Sequence, residues 1–333
     1  MSESITLSAS RIKTVQSCSW LYWFKYHLKA PDKSNDGAKR GTVCHNIFEF
    51  LGDPKNKKDF DKIIEKQDVF ASLKVKKMLL KQAKENSIDD ENNLLLIKQM
   101  TLNGLNYDFF GNEIGTKTAE FSEKDFDFEI QEDGFNFKIK GFIDKLFIYG
   151  KKALIRDFKS SKETYKGKEI EDNLQDLMYT LAVKKLFPHL KNVSSEFVFL
   201  KFPPEKGVIK MPPINDLELD GFKEQLTLIQ KYLQNFNEKN AKSKLAAKQD
   251  YPKDNSFSGP LMCGFAKSAG ELKKDGTLKW SCSAKHPFKF YQIKENEKII
   301  DSCFEDEKEK FEKKYPTSKF ELVEYAGCPA FYK

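Results

Sequence analysis

Lys152-Ala153-Leu154-Ile155-Arg156-Asp157-Phe158-Lys159-Ser160-Ser161 lies near the middle of this 333-residue chain. Its apolar body and Ser-Ser end read as a short β-strand. In a strand, residues two apart share a face. Asp157 and Lys159 therefore project together, opposite Phe158. One strand earlier, Gly141-Phe142-Ile143-Asp144-Lys145-Leu146 places a second acid, Asp144, in a similar apolar run. A carboxylate beside an ammonium, with another carboxylate one strand away, can bind a divalent cation and steady an anionic transition state. Taken alone, Asp157 and Lys159 read more simply as a strand-end ion pair.

Outward from this strand, the texture predicts an α/β protein with a mixed central β-sheet. Segments at 117–123, 125–130 and 135–148 alternate as a β-meander, with a turn at Glu132-Asp133-Gly134. After the central strand, 170–187 is an amphipathic helix stopped by Pro188. Its stripe is Leu174, Leu177, Met178, Leu181 and Ala182, with Gln175 and Tyr179 one turn apart on the margin. A strand follows at 195–202, a short one between Pro203-Pro204 and Pro212-Pro213, and a long helix from Asp216 to about Lys244. Upstream, Leu7-Ser8-Ala9-Ser10-Arg11-Ile12 starts a helix with Ser8 as the expected N-cap. That helix would carry Cys18 and the aromatic run Trp20 to Tyr26. A second helix, Lys39 to about Leu51, places Gly41, His45 and Glu49 on one side. Lys-rich helices fill 55–110, and a last helix (304–314) and strand (319–325) close the chain. The expected division is a domain over 1–250 with a helical insertion at about 52–113, and a cysteine-containing extension over 251–333.

Composition bounds the function. The chain is 39% hydrophobic and 32% charged, and its 29 Phe can supply a large core. The N-terminus lacks a basic and then apolar leader, and no apolar run approaches the ~18 residues that span a bilayer. A cytoplasmic protein without a membrane partner is expected. Lys and Arg number 57 against 50 Asp and Glu. Residues 11–40 are mostly basic, which suits either a solvated helix face or a phosphate backbone. The six cysteines are widely spaced, which favours reduced thiols or a metal site over a disulfide framework. No G-x-x-x-x-G-K-[ST] loop is present, so an NTP-driven motor would have to be another chain.

Four motifs in order carry a resemblance. Gly41 to His45 (G-x-x-x-H), Gly141 to Asp144 (G-x-x-D), Asp157 to Lys159 (D-x-K) and Gln175 to Tyr179 (Q-x-x-x-Y) resemble the RecB/AddB-type branch of the PD-(D/E)XK nucleases. The opening Leu7 to Ile12 and Cys18 in an aromatic stretch are also similar to that branch. The resemblance covers roughly residues 7–200. It implies a restriction-endonuclease-like core. It also implies that Asp144, Asp157, His45 and the main-chain carbonyl of Phe158 hold Mg²⁺ or Mn²⁺. Lys159 would orient or activate the attacking water, and Gln175 and Tyr179 would position the strand and the site. Glu120 matches a less regular acidic position of the family, but also reads as a solvent-facing strand Glu. The implied activity is metal-dependent hydrolysis of DNA by an exonuclease in replication, recombination or repair. Single strands or DNA ends would be the partner, with a separate helicase or recombination protein. The alternative is a non-catalytic DNA-binding or scaffold subunit on the same fold. Many relatives in this branch hold an iron–sulfur cluster through one N-terminal and three C-terminal cysteines. Here Cys18, Cys263 and Cys282 fall at corresponding places, but Ala266 stands where C-x-x-C needs its second Cys. Cys303 or Cys328 could complete the set, His286 could complete a Zn²⁺ site, or the cysteines hold no metal.

Overall fold

A computed structural model describes residues 5–30, 35–132, 134–243, 272–276, 290–296 and 298–324. In chain order the elements begin with β1 (Thr6–Leu7), α1 (Ala9–Ser17), α2 (Ser19–Tyr22), which runs on into a π-helical turn Trp23–His27, and α3 (Asp36–Gly52). Next come α4 (Lys57–Lys66), α5 (Leu73–Glu85), α6 (Glu91–Leu105), β2 (Ala119–Glu132), β3 (Phe135–Tyr149) and β4 (Lys152–Lys159). Then follow α7 (Lys168–Glu171), α8 (Leu174–Leu186), β5 (Asn192–Phe199), α9 (Pro204–Gly207), β6 (Val208–Lys210), α10 (Asp216–Gln234) and α11 (Glu238–Ser243). The last are β7 (Phe290–Glu295), β8 (Lys298–Phe304), α12 (Lys308–Lys314) and β9 (Glu321–Glu324). The chain forms two compact units, residues 3–9 with 34–228, and residues 1–2, 10–33 and 229–333.

The first unit is built on a six-stranded mixed sheet, as the α/β reading expects. β2 and β3 form one long antiparallel hairpin in which Glu132 faces Phe135, and Gly134 supplies the positive φ (+76°) the tight turn needs. β2 joins the two alternating segments expected at 117–123 and 125–130. They meet at Glu123, whose φ of +47° interrupts the ladder between Ser122 and Lys124. β4 runs antiparallel to β3 and parallel to β5, and β6 pairs antiparallel with β5. A parallel step needs a crossover, which α7 and α8 provide. The expected 170–187 helix is broken there because Asn173 Oδ1 accepts from the Gln175 and Asp176 amides and starts a new helix.

β4 is buried along six of its eight residues, charges included. Buried charges must be paired. On the face carrying Phe158, Arg156 donates from Nε to Glu196 Oε1 (2.6 Å) and from Nη1 to the Asp108 carbonyl (2.5 Å). Tyr107 closes the knot by donating to Glu196 Oε2 (3.0 Å). Lys145, opposite Arg156 on β3, donates to Glu120 Oε1 (2.9 Å). Phe158 itself packs into one apolar cluster with Val43, Ile47, Phe48 and Leu51 of α3 and Ile97, Met100 and Leu105 of α6. Helices α4, α5 and α6 fill residues 57–105. Side chains cap three helix starts: Asn35 for α3, Ser72 for α5 and Asp90 for α6. Gly104 lets α6 close on α3, since a Cβ there would meet the Phe48 ring at 2.4 Å.

The second unit departs more from expectation. The helix expected from Ser8 through the aromatic run breaks at Cys18, whose Sγ accepts from the Leu21 amide (3.4 Å) and caps α2. Rings of Tyr22, Trp23, His27 and Phe236 then pack together, with Trp23 stacked on His27 at 4.4 Å. The long helix expected to Lys244 ends at Gln234, and α11 resumes at Glu238. β7 pairs antiparallel with both β8 and β9 in a small sheet, of which the sequence reading expected only the last strand, at 319–325. The expected last helix is confined to Lys308–Lys314. Cys263, Cys282, Cys328 and His286 lie outside the described residues. Among the described residues, no helix is long and apolar enough to cross a membrane.

Candidate active site

The β3–β4 ladder stops at Lys145 opposite Arg156. One step on, the ladder is replaced by a side chain: Asp144 Oδ2 accepts from the Phe158 amide (2.7 Å). The next peptide is held from α3, where His45 Nε2 lies 3.2 Å from the Phe158 carbonyl. His45 Nδ1 then points at carboxylates, 3.4 Å from Asp144 Oδ1 and 3.8 Å from Glu123 Oε1. His45, Glu123 and Asp144 each offer one ligand atom, and these atoms lie within 4.8 Å of one another. Gly41, one turn before His45, lets α3 come this close, since a Cβ there would fall 2.7 Å from Ser160 Oγ.

The electrostatics follow from burial and crowding. Burial alone would lower the His45 pKa, but Asp144, Glu123 and Asp157 outweigh it and push it up to about 10. Asp144 is pushed up to about 6, first by burial and then by the Asp157 charge, against the pull of His45.

Asp157 and Lys159 share the opposite face of β4 from Phe158, as the strand reading expects. Lys159 Nζ lies 2.5 Å from Asp157 Oδ2. The contact is a close ion pair in which Oδ2 is buried. α8 completes the network. Gln175 Nε2 donates to Asp157 Oδ1 (2.7 Å), Gln175 Oε1 accepts from Lys159 (2.7 Å), and Tyr179 donates to Asp157 Oδ1 (2.9 Å). Burial pulls the Lys159 ammonium down, but Asp157 outweighs it and the net shift is upward. Tyr179 is raised well above its ordinary value, by burial first and then by Asp157 and Asp144, so it stays a donor.

All six side chains expected at the site therefore converge on the two peptides of Asp157-Phe158-Lys159. Glu49, on the same side of α3 as His45, is exposed, and the carboxylates beside the His45 ring are Asp144 and Glu123. Glu120 lies away from the triad and pairs instead with Lys145 and Lys117. The acid at the site is Glu123, which sequence reasoning missed. A signal for it existed. An Asp133-Gly134 turn sets Glu132 against Phe135, and stepping back along both strands from there brings Glu123 opposite Asp144.

The donor set fits a divalent cation. Two carboxylates and an imidazole are ligands that Mn²⁺ accepts, and the oxygens alone suit Mg²⁺. Asp157 Oδ2, which faces the Lys159 ammonium, is one more carboxylate oxygen beside this set. For the cysteines, Cys18 has its Sγ already accepting from Leu21, and Cys44 is buried on α3 beside Thr101, so neither is part of this centre.

A family model described as the PD-(D/E)XK nuclease superfamily matches residues 6–261. A comparison with curated proteins finds no match. Among solved structures, a Eubacterium rectale protein provisionally named an exonuclease aligns at 12% identity, covering 69% of this chain and 81% of its own, with a TM-score of 0.40. A protein designated SSO0001 aligns at 16% identity, covering 45% of this chain and 68% of its own, with a TM-score of 0.24.

Proposed function

The chain belongs to the PD-(D/E)XK nuclease superfamily, and from that premise we propose that it is a divalent-metal-dependent deoxyribonuclease, an exonuclease of the RecB/AddB type. Its substrate is DNA, as ends or single strands, in replication, recombination or repair. The observation that carries the reading is the meeting of Asp144, Asp157 and Lys159 around one dipeptide, with His45 and Glu123 beside them. A chance assembly of four short motifs has no reason to bring these groups within hydrogen-bonding reach.

Asp144, Glu123 and His45 would hold Mg²⁺ or Mn²⁺, with Asp157 Oδ2 and the Phe158 carbonyl as further oxygens. A bound cation would polarise the phosphate and lower the pKa of a water, which phosphodiester hydrolysis at neutral pH requires. Lys159 keeps its proton and offers a positive charge to the anionic transition state. Gln175 fixes both Lys159 and Asp157, and Tyr179 fixes Asp157, so the ammonium is positioned before substrate arrives. Asn173 supports Gln175 by capping its helix.

A helicase or recombination partner would supply strand separation. A cysteine-held cluster or zinc built from Cys18, Cys263 and Cys282 is an expectation of the resemblance, and no step is derived from it. A visible absorption spectrum after anaerobic purification tests it. The nuclease reading is tested by incubating end-labelled single- and double-stranded DNA with Mn²⁺ or with chelator. Metal-dependent shortening from an end is expected.

A further inference from the structure

Three cations stand on elements that meet beside the proposed centre, and none has an ion pair among the described residues. Arg40 precedes Gly41 on α3, Lys162 follows Ser160-Ser161 on the loop leaving β4, and Lys201 follows the end of β5. β4 and β5 are parallel, with Lys159 opposite Phe199, and the Leu200 amide donates to the Lys159 carbonyl (2.9 Å). Lys162 and Lys201 thus leave the carboxyl ends of neighbouring parallel strands, where open α/β sheets receive ligands. α3 is pressed against that same end through the Gly41–Ser160 approach.

The Lys201 ammonium is held below its ordinary value, first by burial and then by the Arg40 and Lys162 charges. Within the sheet, Lys117 and Lys145 pair with Glu120, Arg156 with Glu196 and Lys159 with Asp157. Among the described residues, Arg40 donates from Nη1 to Asn93, and its buried Nε meets no partner. Neither Lys162 nor Lys201 has an ion pair among the described residues. Like charges gathered in a partly buried place are unfavourable unless an anion neutralises them.

We propose that Arg40, Lys162 and Lys201 form a phosphate subsite, which holds a backbone phosphate of the DNA strand next to the one that is cut. The choice of DNA rests on the nuclease reading; the anion-binding geometry does not. The subsite would fix the register of the strand, so that the scissile phosphate arrives at Lys159. Fixed register matters for an enzyme acting at ends, because one flanking phosphate then defines where cutting occurs.

The test separates the subsite from catalysis by measuring binding. Lys159→Ala protein, in chelator, is titrated by fluorescence anisotropy against short single strands. Each strand carries one methylphosphonate linkage, moved stepwise along the chain. Lys162→Gln and Lys201→Gln, each added to that protein, are expected to weaken binding about 5-fold. Both penalties should vanish on the same strand, the one whose neutral linkage lies at the subsite. Penalties equal on every strand, or no penalty at all, would overturn the subsite. Lys162 is exposed, so its variant keeps the test valid if the Lys201 variant folds poorly. Position-specific penalties in a protein whose wild type cuts no DNA would sustain the subsite while refuting the nuclease reading.

Discussion

Glu123 lies directly across the β2–β3 hairpin from Asp144, and its Oε1 comes within 3.8 Å of His45 Nδ1. A left-handed residue in mid-strand is uncommon and concentrates at functional sites. The break at Glu123 (φ +47°) is such a case. Glu123→Gln is expected to weaken Mn²⁺ binding by about 10–100-fold with the fold retained. Isothermal titration calorimetry with Mn²⁺ checks it, and unchanged affinity would remove Glu123 from the centre.

Glu120 should behave in the opposite way. It is paired with Lys145, which is 1% exposed. Glu120→Gln leaves that ammonium undercompensated, at a cost of roughly 1–3 kcal/mol. Mn²⁺ affinity should be unchanged. Urea unfolding beside the calorimetry distinguishes the two acids, and a Glu120 variant that loses metal but not stability would exchange their roles.

Asp176 offers a pH signature outside the metal centre. Burial raises its pKa from 3.8 to about 6, against hydrogen bonds from Ser195 and Thr180. The folded protein binds this proton more tightly than the unfolded chain. Its contribution therefore falls as pH rises from about 4 to about 6, and stays unfavourable above. Asp176→Asn should stabilise the protein by about 1–3 kcal/mol at pH 7.5 and by little at pH 4. Thermal unfolding across that range checks the sign, and a gain largest at pH 4 would contradict it.

Gly41 should be needed for close approach. A Cβ would meet Ser160 Oγ at 2.7 Å and Ser160 Cβ at 3.1 Å. Overpacking of this kind costs about 1–3 kcal/mol, more than the ~1 kcal/mol that Ala gains over Gly in a helix. Gly41→Ala is expected to lower stability and DNA cleavage, and Ser160→Gly to restore both in the double variant. Unfolding curves and cleavage rates for the four proteins of this cycle give the coupling. Additive effects would contradict the contact.

Much of this was legible in the sequence because local patterns and tertiary demands agree there. β4 shows its apolar run, α3 puts Gly41 and His45 one turn apart, and α8 does the same for Gln175 and Tyr179. The misses arise where one side chain overrides the pattern. Cys18 and Asn173 accept backbone amides and split helices whose apolar spacing continues across the break. Glu123 is hidden because its left-handed turn breaks the alternation, although the hairpin register pointed to it. The β7–β9 sheet is built from short strands whose partners are distant in sequence, which periodicity alone does not pair.

The most direct test of the central claim is the rate of Mn²⁺-dependent cleavage of end-labelled DNA by wild type and Lys159→Ala, with circular dichroism of both. Lys159 meets Asp157 and Gln175 and offers the only charge in that network suited to an anionic transition state. The expected result is cleavage by wild type that chelator abolishes, and a loss of about 10²–10⁴-fold in the folded variant. Cleavage by the variant at the wild-type rate, or by wild type in chelator, would contradict the account.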